Sequence, residues 1–276
     1  MYYLVYTFGF ILIILVIMIS YMIREARTVV LETVRLAEDA DALRVVQISD
    51  IHIRYRTVRL DKIIEIIKGA NPHIIILTGD YICTAKEAER FLPWLRELRE
   101  SFGGIGFYLC FGNHDHRAFR KFPEIKKDFV RDIKKLGIYI MENKTATFSL
   151  NDKIYAITGF SDVYTTPRYN IHNAFKGAPK ETHYHIGFTH NPDLAVDLKT
   201  RRPHILLCGH FHGGQIRLPF HLEYTCLRKE LLCKMGIRSG LREFGGRHIY
   251  ISRGVGCVFI PLRFLAKPEV TLFILP

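Results

Sequence analysis

Residues 43–52 read LRVVQISDIH, and residues 72–80 read PHIIILTGD. Each is a short apolar run that stops at a polar turn carrying an aspartate. Such a run, bounded by turn residues, suits a strand buried on both faces. Between the two lies VRLDKIIEIIKGA (58–70), with Leu60, Ile63, Ile64 and Ile67 at helical spacing. The unit then recurs. KEAERFLPWLRELRE (86–100) predicts a second helix, disturbed at Pro93. IGFYLCFGN (105–113) predicts a third strand, and FPEIKKDFVRDIKKLG (122–137) a third helix that stops at a glycine. This strand–helix alternation argues for a layered α/β domain.

After Ile138 the pattern changes. TATFSL (145–150) and KIYAITGF (153–160) read as a hairpin turning at Asn151-Asp152. HYHIGFTH (183–190), HILLCGH (204–210), GQIRLP (214–219), RHIYISR (247–253) and EVTLFIL (269–275) read mostly as strands. The second half is strand-rich. There is no internal repeat, no low-complexity segment and no linker after residue 42, so residues 43–276 are expected to form one globular domain.

The N-terminus differs in kind. No charged residue occurs from Tyr2 to Ile23. A helix over that stretch is about 33 Å long, enough to cross a bilayer core. A cleaved signal would want a basic leader and a small-residue cleavage site. Here nothing basic precedes the run, which ends in Arg24, Glu25, Ala26 and Arg27. Residues 1–23 therefore read as a single transmembrane anchor and 24–42 as a connector, within which TVVLETVRL (28–36) has the β-branched content of a strand. Arg24, Arg27 and Arg35 follow the anchor and nothing basic precedes it, so by the positive-inside rule the body of the protein is expected to face the cytoplasm.

The 276 residues carry a formal net charge of +12, from 39 basic against 27 acidic side chains. That balance favours anionic partners: phosphorylated substrates, anionic lipid or nucleic acid. The six cysteines form no CxxC pair, and Cys83, Cys110 and Cys208 sit in or beside apolar runs. They read as reduced core thiols, not a disulfide framework.

The polar residues concentrate at strand ends. The first run gives Asp50 and His52, the second Asp80, and the third Asn113, His114 and Asp115. Two later runs give His190, then His210 and His212. Ligands of open α/β sheets bind at the carboxyl ends of strands. Asp50, His52, Asp80, Asn113, His190, His210 and His212 are all oxygen or nitrogen donors. Two cations held close need a bridging carboxylate to offset their repulsion. Imidazole, carboxylate and amide without thiolate suit Mn, Fe or Zn.

The ordered set DxH (Asp50, His52), GD (Gly79, Asp80), GNHD (Gly112 to Asp115), His190 and GHxH (Gly209 to His212) resembles the calcineurin-like metallophosphoesterase superfamily over roughly residues 43–276. The tail ISRGVGCVFIPLRFLAKPEVTLFIL (251–275) resembles its YkuE-like membrane-associated branch, related to enzymes that cleave UDP-2,3-diacylglucosamine. The resemblance implies a four-layer α-β-β-α sandwich and two divalent metal ions, Mn first, with Fe, Zn or Mg as other choices. It implies that Asp50, His52 and His212 bind one metal, that Asp80 bridges, and that Asn113, His190 and His210 bind the second. His114 would face the scissile phosphate, with Asp115 fixing its orientation. The implied reaction is hydrolysis of a phosphodiester or pyrophosphate bond by metal-activated hydroxide. Phe211 stands where many relatives have Thr, and Thr189 where Ser is common. The first departure bears on substrate fit and not on catalysis, and the second is a mild change.

Two features remain outside that set. In residues 217–247, Leu227, Leu231 and Met235 recur at helical spacing with Arg228, Lys229 and Lys234 between them. The stretch reads either as a membrane-touching amphipathic helix at the site mouth or as a surface helix whose charges are merely solvated. Arg217, Arg253 and Arg263 are candidates to hold a substrate phosphate, Arg253 first. The expected activity is that of a membrane-anchored phosphoesterase acting on a lipid- or nucleotide-linked substrate. A nuclease or cyclic-nucleotide phosphodiesterase is the rival reading, and a non-catalytic scaffold the third. No base-stacking platform accompanies the basic charge, which weighs against nucleic acid.

Overall fold

A computed structural model describes residues 2–165, 171–179, 181–198, 203–226 and 228–276. Helix α1 (Tyr2–Arg27) leads into strand β1 (Val30–Arg35). The β-α alternation follows: β2 (Leu43–Ile48), α2 (Leu60–Ala70), β3 (Ile74–Thr78), α3 (Ala85–Glu100), β4 (Gly106–Cys110), α4 (Asn113–Lys121), α5 (Pro123–Lys135) and β5 (Tyr139–Ile140). The rest is strand-rich: β6 (Lys144–Leu150), β7 (Lys153–Gly159), β8 (Tyr184–Phe188), β9 (Ile205–Cys208), β10 (Gly240–Phe244), β11 (Arg247–Ile251) and β12 (Glu269–Leu275).

Among the described residues these strands build two six-stranded sheets, in the orders β1-β12-β2-β3-β4-β5 and β10-β11-β9-β8-β7-β6. Strands β2 to β5 run parallel, as do β7, β8, β9 and β11, while β12 returns antiparallel to β2. The chain's last strand thus inserts beside its first two. Asn151 and Asp152 both take positive φ (50° and 60°), as the tight turn between antiparallel β6 and β7 requires.

The unbroken apolar runs have a simple cause. Val45, Ile74, Ile76 and Tyr108 of the first sheet pack against Tyr155, Ile157, Ile186, Ile205 and Leu207 of the second. Their neighbours Val46, Ile75, Leu77, Phe107 and Leu109 face the other way, into a core closed by Ile63, Ile67, Phe91, Trp94, Leu95, Phe129 and Ile133 of the helices. Leu206, Cys208, Ile249 and Ile251 cover the outer face of the second sheet together with Phe160, Phe211, Tyr224 and Leu232. The result is an α-β-β-α sandwich whose second helical layer is thin. Among the described residues it includes the four-residue helices Ile171–Ala174, Leu194–Asp197 and Leu231–Lys234.

Several local expectations change. Pro93 lies inside α3 without ending it, because the flanking Phe91, Trp94, Leu95 and Leu98 are all buried. GQIRLP is not a strand and contributes a single bridge, Ile216 to Phe264. Residues 217–247 do not form an amphipathic helix. They hold a 3-10 turn (Pro219–His221), two four-residue helices (Leu222–Thr225 and Leu231–Lys234) and β10. Leu227 lies outside the described residues, while Leu231 and Met235 are exposed. The spacing of Leu227, Leu231 and Met235 predicts a helix, but within that span only Leu231–Lys234 forms one; positive φ at Gly236 follows its end, and Gly240, Gly245 and Gly246 turn the chain around β10.

Arg263 is wholly buried, and its guanidinium donates to the carbonyls of Arg253 (2.8 Å), Ala266 (2.8 Å), Gly254 (3.2 Å) and Gly256. It is a tie for the loop after β11, which corrects its reading as a phosphate ligand. Arg263→Met strands those carbonyls without a donor. Thermal or denaturant unfolding is expected to show a loss of about 3 kcal/mol.

A candidate metal centre at the strand ends

The site residues hang from turns that the backbone adopts at a cost. Asp50, His52, Asp80, His210 and His212 have positive φ, from 38° at His52 to 77° at His210. Each such residue costs on the order of 1 kcal/mol and persists only where its surroundings hold it. Here the loops brace one another. Asp50 N–H donates to Gly79 O (3.1 Å), His52 N–H to Asp80 O (2.9 Å) and Gly209 N–H to His190 O (3.0 Å). The Asp50 carboxylate accepts from Ser49 Oγ (2.6 Å) and from the His210 N–H (3.1 Å). Gly112 and Gly209 are required by contact: a Cβ at Gly112 would overlap the Asp80 carboxylate, and one at Gly209 would overlap Ser49 Oγ and Asp50.

Seven side chains meet at this point, and six of them form two triads. Asp50, His52 and His212 offer ligand atoms within 4.8 Å of one another, and so do Asp80, His190 and His210. His52 Nε2 lies 3.2 Å from His212 Nε2, which is 3.2 Å from Asp50 Oδ1. His190 Nε2 lies 3.1 Å from His210 Nδ1 and 3.1 Å from Asn113 Oδ1. One carboxylate oxygen of the second triad, Asp80 Oδ2, is 3.1 Å from His190 Nε2 and also 3.5 Å from His52 Nε2 of the first, so it links the two groups. Buried imidazoles facing one another nitrogen to nitrogen, with carboxylates among them, fit cations shared by the group.

The electrostatics agree. Burial pushes His52 down to about 3 and His212 well below its ordinary value, leaving neutral rings with lone pairs to give. Burial works against the Asp80 charge, yet the adjacent His190 outweighs it and holds the carboxyl well below the usual range. His190 is driven down by burial but lifted further by Asp80 and Asp50, to about 10. Burial raises Asp50 to about 6.

Around the triads the structure redraws several roles. Asp115 does not orient the His114 ring. Its carboxylate accepts four backbone N–H groups, from Gly112 (2.8 Å), Asp80, Tyr81 and Ile82 (each 2.9 Å), and so fixes the loop carrying Asp80. The His114 ring instead meets Cys83 Sγ (3.2 Å), and its backbone N–H donates to Asp80 Oδ1 (2.9 Å). Arg253 is engaged by Glu269 (2.6 Å) and Glu32 (3.0 Å), and Arg217 by the Gly213 carbonyl (3.1 Å). Neither lines the cleft. The cleft, about 660 Å³, has Asp80, Asn113, His114, His210 and His212 on its floor. Arg117 and Arg228 are its guanidinium groups, and Phe211, Ile216, Leu218, Val258, Phe259 and Ile260 supply its apolar wall.

Sequence reasoning missed Glu230. Its Oε1 lies 2.7 Å from His210 Nε2, turning His210 Nδ1 towards His190. Arg228 braces the same loop through the His210 carbonyl (2.9 Å), and Asp193 pins the next turn by accepting from Leu231 N–H (2.7 Å) and Leu232 N–H (2.9 Å). No spacing rule connects Glu230 to His210. Only the fold returns this loop to the site.

Comparison with known proteins agrees with this geometry. The calcineurin-like phosphoesterase family matches residues 43–214. The uncharacterized metallophosphoesterase YkuE of Bacillus subtilis is 33% identical over 243 residues, covering 85% of this chain and 79% of that protein. The UDP-2,3-diacylglucosamine pyrophosphatase LpxG of Chlamydia trachomatis is 28% identical over 275 residues, covering 83% of this chain and 82% of its own. Among solved structures, Thermus thermophilus sulfate thiohydrolase SoxB superposes with a TM-score of 0.51 at 10% identity, over 87% of this chain and 57% of that one, a likeness of fold. The chain belongs to the calcineurin-like phosphoesterases. It is a phosphoester hydrolase of a family built around a dinuclear metal site.

Removing the carboxylate behind a metal-binding imidazole typically weakens binding by roughly 10- to 100-fold. Glu230→Gln is therefore expected to lower the affinity of one of two bound divalent ions by about that factor and leave the other unchanged. Metal titration read by calorimetry checks this. Gly209→Ala, which pushes on Asp50, is expected to cost the opposite ion.

Proposed function

We propose that this protein is a membrane-anchored phosphoesterase that hydrolyses a phosphodiester or pyrophosphate bond in a lipid- or nucleotide-linked substrate. The observation that carries the reading is that one oxygen, Asp80 Oδ2, lies close to an imidazole of each triad, His52 (3.5 Å) and His190 (3.1 Å). Asp50, His52 and His212 would hold one divalent ion, and Asn113, His190 and His210 the other, with Asp80 common to both. Mn is the first choice of metal and Fe, Zn or Mg the others. Such a pair, when bound, lowers the pKa of water and neutralises phosphate charge.

The chain's own groups supply the rest. Burial lowers the pKa of His114, which disfavours an imidazolium there, so the ring would serve by donating an N–H hydrogen bond to a phosphate oxygen and stabilising its charge. Arg117 and Arg228 take the place that Arg253 and Arg217 were expected to fill, as partners for substrate phosphate oxygens. The apolar wall suits an acyl chain or a nucleobase, and the activity for which LpxG is named lends support to a nucleotide–lipid substrate. The helix α1 is long and apolar enough to cross a bilayer. As an anchor it would keep the cleft near a lipid substrate, with Arg24, Arg27 and Arg35 favouring a cytoplasmic-facing body.

The test uses the full-length chain with Mn in detergent micelles. UDP-2,3-diacylglucosamine, an aryl phosphodiester and an aryl phosphomonoester are offered in parallel, with products read by phosphorus NMR. Release of UMP from the lipid nucleotide, lowered roughly a hundredfold or more by Asp80→Ala, is the expected outcome. Turnover of the aryl diester alone would reject the lipid nucleotide as substrate.

A further inference from the structure

Helix α1 ends against the loop of residues 258–266. The Tyr21 ring meets Phe264 edge-on with centroids 5.9 Å apart, Arg263 N–H donates to Met22 O (3.2 Å), and Ala266 N–H donates to Glu25 Oε1 (2.6 Å). The uncharged part of α1 stops at Ile23, so these contacts lie where a spanning helix leaves the hydrocarbon. The same loop exposes Phe259 (81%), Leu265 and Ile260.

A second loop is tied to it. Arg217 N–H donates to Phe264 O (3.0 Å), and the Gln215 side chain donates to Val258 O (3.0 Å) and Ile260 O (3.1 Å). This brings alongside a segment that exposes Leu218, Phe220 (90%) and Leu222. Phe220, Phe259 and Leu265 are all held at positive φ (56°, 63° and 55°), a conformation that bulky residues avoid. The exposed apolar cluster is continuous with α1 at one end. At the other, Leu218, Phe259 and Ile260 also form the cleft wall. A patch of this kind in water marks a partner. Its continuity with the end of α1, and the exposed Arg24, Arg27 and Lys267 nearby, argue that the partner is lipid.

We propose that the two rim loops, residues 218–222 and 258–265, form a lipid-inserting surface seated in the headgroup–acyl boundary of the bilayer that α1 spans. An acyl chain then passes from the bilayer along Leu218, Phe259 and Ile260 towards Asp80 without crossing water. This rests on α1 being an anchor.

The test places the full chain in nanodiscs of mixed zwitterionic and anionic phospholipid carrying a nitroxide near the headgroup. The native Trp94 is buried and gives a constant background. Phe220→Trp and Phe259→Trp report on the rim and Tyr6→Trp on α1. Tyr139→Trp reports on β5, at the sheet edge opposite β1, about 24 Å away by strand spacing. The expected result is quenching of both rim probes several-fold above Tyr139→Trp. Rim probes quenched no more than Tyr139→Trp, with Tyr6→Trp quenched, would overturn the surface and leave the anchor standing. An unquenched Tyr6→Trp would remove the anchor and the surface together.

Discussion

A single buried carboxylate sets the terms for this structure. Asp80 Oδ2 lies within 3.5 Å of an imidazole on the β2 loop and 3.1 Å of one on the β8 loop, strands of two different sheets. A charge in that position is stable only if cationic partners surround it. Much of the surrounding architecture serves that requirement. Asp115 takes up the backbone N–H groups of Asp80, Tyr81 and Ile82, so the loop cannot swing. Glycines at 112 and 209 leave room for the carboxylates, since any side chain there would collide with them.

The two sheets must therefore close before the site exists. Their shared core of Val45, Ile74, Ile76, Ile157, Ile186, Ile205 and Leu207 supplies the apolar burial that offsets strained turns at five of the seven donor positions. Strain and site coincide because a strand that simply continued would carry its side chains on past the junction. A left-handed residue at the strand end instead turns the donor back into it. Rigid strands below and braced loops above hold those donors still, which is what a preorganised hydrolytic site requires.

The cleft is lined both by charged groups and by apolar side chains. Asp80, Asn113, His114, His210 and His212 line it together with the guanidinium groups of Arg117 and Arg228 and with Phe211, Ile216, Leu218, Val258, Phe259 and Ile260. Besides Phe211, the apolar side chains belong to segments 215–218 and 258–260, far apart in sequence and held together by the Gln215 amide.

The alternation of apolar runs with helical spacing, the hairpin at Asn151-Asp152 and the donors at five strand ends were legible from residue order alone. Each depends on local periodicity or on a short turn with few solutions. The match of Asp50, His52, Asp80, Asn113, His190, His210 and His212 to a known ordered set added the family. Other features were invisible to residue order. Glu230 reaches His210 from 20 positions further along the chain, with no periodic cue. Asp115, beside His114 in sequence, serves the backbone of a different loop. Arg253 and Arg263, attractive as phosphate ligands by type, are neutralised or buried by Glu32, Glu269 and a ring of carbonyls. Residue type and spacing determined which donors this protein brings to its strand ends. Which carboxylate oxygen lies between imidazoles of the two sheets, which arginine faces the cleft and which carboxylate steadies which ring were decided by tertiary packing, because those choices depend on distances between loops that no local rule constrains.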